Sequence, residues 1–199
     1  MDYGTTCKTK EGFLMLLLRA YLLIGLVAHK VVWEMLKRKG SKSLQSESFT
    51  LQLIKLAKIA VLLGVIVQTL VPRYVLPISD NPFSLQAAGV VLFNAGLATA
   101  IMGRVQLGES WSDIETPQAK NSVVSRGIYG YIRHPIYAGD LLLLAGLELC
   151  LNSWLVIGVL ALAPIVANKA IREEKMLAEK LPGYDVYVRK TKRFIPFLV

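Results

Sequence analysis

Between residues 125 and 139 the chain reads Ser-Arg-Gly-Ile-Tyr-Gly-Tyr-Ile-Arg-His-Pro-Ile-Tyr-Ala-Gly, immediately ahead of an apolar stretch. Pro135 bars His134 from the α region, so His134 is expected in an extended segment leading into a helix. The first-turn N–H groups of that helix lack intrahelical acceptors and favour an anionic group. Arg133 and His134 would add donors at the same place. The composition equally fits an interfacial belt of snorkelling Arg and Tyr at headgroup depth, and residue types alone leave both readings open. A second charged tract is Asn168-Lys169-Ala170-Ile171-Arg172-Glu173-Glu174. Helical spacing puts Lys169 and Glu173 on one face as an i,i+4 pair, and Asn168 with Arg172 on another. Such charges can also be a merely solvated face. Glu148 stands inside the apolar stretch, with Asn152 four residues on as its expected partner. Asp140 sits where a carboxylate favours the helix dipole. Arg19 and Asn94 are expected to tie helices together, and Cys150 to serve as apolar filling.

Other chemistries are missing from the sequence. It has no G-x-S-x-G, no H-E-x-x-H, no phosphate loop and no G-x-G-x-x-G, which excludes a soluble nucleotide-binding domain. Two cysteines and two histidines make neither a disulfide framework nor a four-ligand zinc site, and no metal is expected.

The elements that must position these residues are apolar. Of 199 residues, 54 % are hydrophobic and 19 % charged, and the mean hydropathy is +0.48. That excludes disorder and an ordinary soluble enzyme. Hydropathy predicts an all-α integral-membrane chain in a single domain, 1–199, with spans over 13–33, 51–71 and 85–107, each near the roughly 20 residues a bilayer core requires. The apolar region Gly139–Asn168 breaks at Asn152-Ser153 into 139–151 and 154–168, halves of about 20–23 Å that suit a short helical hairpin, with Pro164 as a potential kink. Five membrane helices result. Lys30–Lys58 carries seven Lys/Arg, Arg104–Arg133 four and Lys169–Arg193 eight, against Arg73 alone in the loop after the second span. The positive-inside rule then puts the C-terminus in the cytoplasm and the N-terminus outside, in the plasma membrane of a prokaryote or the endoplasmic reticulum of a eukaryote. The net charge of +9 reads as topology and attraction to anionic membrane lipids. No nucleic-acid reading motif occurs, and no obligate protein partner is expected.

Taken in order, Leu107-Gly108-x-x-Trp111-Ser112, Val124-Ser125-x-Gly127-x-Tyr129, Arg133-His134-Pro135-x-Tyr137-x-Gly139, Glu173-Glu174-x-x-Leu177, Tyr184-x-x-Tyr187 and Arg193-x-Ile195-Pro196 resemble the isoprenylcysteine carboxyl methyltransferase family. The resemblance implies an integral-membrane enzyme that binds S-adenosylmethionine without a Rossmann domain, through the cytoplasmic segments 108–138 and 169–199. It would methylate the carboxylate of a prenylated cysteine that enters from the bilayer, leaving S-adenosylhomocysteine. The resemblance also implies that Val123, Val124 and Tyr129 line the cofactor pocket and that His134, Pro135, Ile136 and Tyr137 form its floor. Glu173 would meet the cofactor's amino or ribose groups. Lys169, with Arg172 as alternative, falls where the family holds the substrate carboxylate with an arginine. A phospholipid amine methyltransferase carries similar motifs; its ammonium must lose a proton first, for which Glu174 is the candidate base. A sterol-type reductase using NADPH is the third reading, and a non-enzymatic scaffold the fourth.

Overall fold

The computed structural model describes residues 3–36, 63–71, 76–108 and 123–196, with backbone alone for residues 3–11. Residues 51–62 of the predicted second span, the polar tract 37–48 and the stretch 109–122 with Trp111 and Ser112 lie outside the described residues. Six helices are described: α1 (Tyr3–Met35), α2 (residues 63–70), α3 (Phe83–Leu107), α4 (Pro135–Cys150), α5 (Val156–Lys180) and α6 (Tyr184–Lys190). A 3-10 turn at Gly127–Gly130 precedes α4.

Gly12–Met35 and Phe83–Leu107 are each long and apolar enough to cross a bilayer. Large apolar side chains point outward along them and along α5, among them Phe13, Ile24, Val91, Leu160 and Ile165. A helix that is apolar on its outer face belongs in lipid, and the chain is an integral membrane protein. The first and third predicted spans thus fall within described helices. α5 continues without a break through Pro164 to Lys180, past the expected membrane half ending at residue 168, as the apolar stripe of Ile171, Leu177 and Ala178 leads one to expect.

The core lies where α3 meets α4. Gly89, Gly96 and Gly103 recur every seven residues on α3, and Gly139 with Gly146 does the same on α4. A Cβ at Gly96 would lie 2.3 Å from the Leu143 nitrogen, and one at Gly146 2.3 Å from the Phe93 nitrogen. The two backbones are in direct contact, as small residues permit in membrane helices. Leu22, Phe93, Leu143, Leu147 and Leu151 close the seam.

Polar ties fix the remaining elements. Arg19 donates to the carbonyls of Gln68 (3.2 Å) and Thr69, and Tyr21 donates to Asn94 Oδ1, so both residues expected to join helices do so. Asp140 accepts from or pairs with His29 across 3.1 Å, joining α4 to α1. The predicted Glu148–Asn152 contact is corrected. Glu148 Oε2 accepts from Gln68 Nε2 at 2.6 Å. Asn152, with φ +55°, turns away from α4; its Oδ1 accepts from the Ile78 and Ser79 backbones at 3.2 and 3.1 Å. An asparagine tolerates this left-handed turn, and adopting it removes the i,i+4 geometry on which the expectation depended.

Candidate active site

Pro135 opens α4 at its first turn, and His134 before it has φ −121° and ψ 57°, outside the α region as proline requires of its predecessor. The extended segment finds its hydrogen bonds in the C-terminal strap that follows α6. Lys192 N–H donates to Tyr131 O (2.9 Å), Arg133 N–H to Lys192 O (2.8 Å) and His134 N–H to Arg193 O (3.0 Å). Tyr187 of α6 donates to the Tyr129 carbonyl at 2.9 Å, fixing the 3-10 turn from the same side.

Glu174 of α5 is the meeting point. Its carboxylate accepts from Arg133 Nε at 2.8 Å and from Arg193 Nε at 3.1 Å and Nη2 at 2.8 Å. His134 Nε2 lies 3.2 Å away. Burial by itself pushes the Glu174 carboxyl up, but the hydrogen bonds from His134, Arg193 and Arg133 outweigh it and hold the group well below the usual carboxylate range. An ionised carboxylate only accepts, so His134 Nε2 carries the hydrogen of that contact.

A depressed folded pKa contributes stability above the unfolded value of about 4.3, which is lost as pH falls from there toward the folded value. Thermal melts in detergent micelles are therefore expected to move to lower temperature below about pH 4.3. Glu174→Gln, destabilised at neutral pH, should lack that part of the acid slope. An identical slope in both proteins would contradict the ionised, clamped state.

Around this clamp the other groups assemble. The Tyr137 ring stacks on His134 with centroids 5.3 Å apart and planes 4° from parallel. Its hydroxyl donates to Glu173 Oε2 at 2.8 Å, and Lys169 Nζ lies 5.0 Å from the ring centroid. Burial, reinforced by Glu173, raises the Tyr137 hydroxyl well above its ordinary value, so it stays a donor. His134 Nδ1 is 4.0 Å from Glu173 Oε2. Phe194 of the strap packs 5.8 Å from the His134 ring. Phe194 also lines an open groove of about 320 Å³ whose wall includes Thr99, Ile132, Ala138 and Leu142. The polar cluster therefore adjoins apolar surface.

His134, Tyr137, Lys169, Glu173 and Glu174 are thus together. The predicted Lys169–Glu173 pair is not formed; Tyr137 stands between them, taking the cation on its face and the carboxylate on its hydroxyl. Arg172 is exposed, with no hydrogen bond or ion pair among the described residues. Pro135 and Ile136 pack against Gly103 of α3. Val123 and Val124 are half-buried ahead of the turn that holds Tyr129. Arg133, expected as a donor at the start of α4, donates to Glu174 instead; Arg193 and Phe194 are not among the expected site residues, although the Arg-x-Ile-Pro motif contains them. Among the described residues no group of three or more His, Cys, Asp or Glu could hold a metal ion.

Comparison with known proteins places this architecture. Residues 85–182 match the family model of phospholipid methyltransferases. The eukaryotic intramembrane Ras methyltransferase ICMT has a similar structure, with a TM-score of 0.51 and 24 % identity, over 57 % of this chain and 43 % of that one. The cobalt-zinc-cadmium resistance protein CzcN of Cupriavidus metallidurans is 34 % identical over 52 % of this chain and 47 % of its own. The nickel-cobalt-cadmium resistance protein NccN of Alcaligenes xylosoxydans xylosoxydans is 28 % identical over 57 % of this chain and 53 % of its own. The chain thus spans about half the length of these curated relatives. The fold is that of the helical membrane methyltransferases. Through residues 85–182 the chain belongs to the phospholipid methyltransferase family, which includes ICMT-like enzymes.

Proposed function

We propose that the chain transfers a methyl group from S-adenosylmethionine to the carboxylate of a lipophilic substrate, a prenylated cysteine or a related lipid acid. The observation that carries this reading is the convergence of Lys169, Tyr137, His134 and Glu173 beside an apolar groove. The donor set fits the cofactor. Glu173, about a quarter exposed, offers an acceptor for an ammonium or ribose hydroxyl. When bound, S-adenosylmethionine supplies a methyl carbon activated by a neighbouring sulfonium.

A substrate carboxylate is ionised at neutral pH. With Glu173 holding the cofactor and Lys169 the substrate, the carboxylate oxygen would take the methyl carbon while the carbon–sulfur bonding pair stayed on sulfur, giving ester and thioether with no proton to move. The protein's task is alignment and water exclusion, which together supply roughly 7–11 kcal/mol in well-oriented reactions. Lys169 would orient the carboxylate, and the groove would hold its hydrocarbon chain. The distribution of Lys and Arg supports a site at the cytoplasmic face, with five helices in the membrane.

The family description favours a second reading, methyl transfer to a phospholipid amine. An ammonium must first lose a proton. Glu174 is poorly suited to take it, because its carboxylate already accepts from three side chains and is held strongly acidic. The test is transfer of radiolabelled methyl from S-adenosylmethionine to a panel of prenylcysteines, lipophilic acids and phosphatidylethanolamine. Base-labile methyl esters on the acids are expected; label confined to the amine lipid would overturn the carboxylate reading.

A further inference from the structure

We propose that Glu174 is a positioning residue, which fixes the His134 ring in its Nε2–H form and fastens the C-terminal strap Lys192–Phe194 against the site. The geometry behind this is convergent. One buried carboxylate receives Arg133, which precedes α4, His134 itself, and Arg193 from the strap. Arg133 extends the same brace by donating from Nη1 to the carbonyls of Thr191 and Val188. Two segments far apart in sequence, residues 133–134 and the strap, are therefore tied to α5 by one side chain.

The consequence falls on His134. With Nε2–H committed to Glu174, the other ring nitrogen is directed toward Glu173, 4.0 Å away. Tyr137 stacked on one side and Phe194 packed on the other remove the remaining freedom of the ring. A second nitrogen set by the partner of the first is the general behaviour of oriented histidines. Glu173 and Glu174, though adjacent, have different duties. Glu174 is enclosed by donors, whereas Glu173 accepts from Tyr137 and is about a quarter exposed, at 24 % of its side chain. Glu174 thus acts through His134 and Phe194, and this role rests on the reading that His134 faces the cofactor.

The test uses the full chain in nanodiscs with 15N-labelled histidine. Only two histidines occur, and a His29→Gln variant assigns the signals. Wild type is expected to show His134 with Nε2 protonated and Nδ1 bare at pH 8, and Glu174→Gln to show a mixture of the two ring forms. Titration calorimetry with S-adenosylmethionine should find affinity about tenfold weaker in Glu174→Gln and about threefold weaker in Arg193→Met. The double variant should be no weaker than Glu174→Gln, since both act through one clamp. An unchanged His134 spectrum in Glu174→Gln, or losses that multiply in the double variant, would overturn the proposal. If Glu174→Gln fails to fold, Arg193→Met decides: unaltered affinity there also overturns it. A wild type that ignores S-adenosylmethionine while the ring forms still mix in Glu174→Gln would remove the cofactor reading and leave the positioning role intact.

Discussion

Gly96→Leu is expected to yield no folded protein. A single added Cβ would lie 2.3 Å from the Leu143 nitrogen and 2.7 Å from the Gly139 carbonyl oxygen, and both obstacles are backbone of α4. Overpacking a core that can shift its side chains costs about 1–3 kcal/mol. Here no side chain can yield, and separating α3 from α4 would also undo the contacts of Gly89, Gly139 and Gly146 along the same seam. The cost therefore approaches the whole of a typical stability, about 5–15 kcal/mol. Gly96→Ala should already lose more than about 3 kcal/mol by the same argument. Gly158→Ala on α5, where nothing lies within 4 Å of the new methyl, should be neutral. Unfolding followed in mixed micelles distinguishes these cases. A folded Gly96→Leu protein with wild-type melting behaviour would show that the helices are not in backbone contact.

That seam illustrates which parts of the fold were legible. Hydropathy located α1 and α3 because burial in lipid is a property of each segment alone. The polar break at Asn152-Ser153 located the turn after α4 for the same reason. A glycine every seventh residue carries no such signal until two helices are paired, since isolated glycines also mark turns and helix ends. At the site, Pro135 fixed the backbone of His134 locally, and both charged tracts were visible as clusters. The partners of Glu174 were not, because Arg133 precedes it by 41 residues and Arg193 follows it by 19, and spacing rules reach only one helical turn. The i,i+4 rule proposed Lys169–Glu173, yet a tyrosine from another helix offered each group a better contact. Local rules hold until a tertiary neighbour competes.

Lys169→Met is expected to lower kcat/KM for a lipophilic carboxylate by roughly 10–150-fold, the equivalent of one charge-assisted hydrogen bond worth about 1.5–3 kcal/mol. Lys169 rests over Tyr137, beside the carboxylate-bearing turn, and is exposed, so its ammonium is free to meet an incoming anion. Arg172 is the alternative cation by sequence. It lies roughly a quarter turn from Glu173 at about 100° per residue, however, and it is Lys169 that rests over the Tyr137 ring, while Arg172 makes no hydrogen bond or ion pair among the described residues. Arg172→Met should accordingly leave turnover within about twofold of wild type, a difference of about 0.4 kcal/mol. The loss in Lys169→Met should appear in the substrate KM, with S-adenosylmethionine affinity unchanged. Lys169→Arg should recover activity to at least the wild-type level, because a planar fork grips a carboxylate through two hydrogen bonds where an ammonium acts as a point charge. The amine reading predicts the opposite sign: a cation next to an ammonium substrate repels it, so Lys169→Met would then raise kcat/KM. Initial rates for these three variants on an acid and an amine substrate therefore decide both which cation holds the substrate and which substrate it holds.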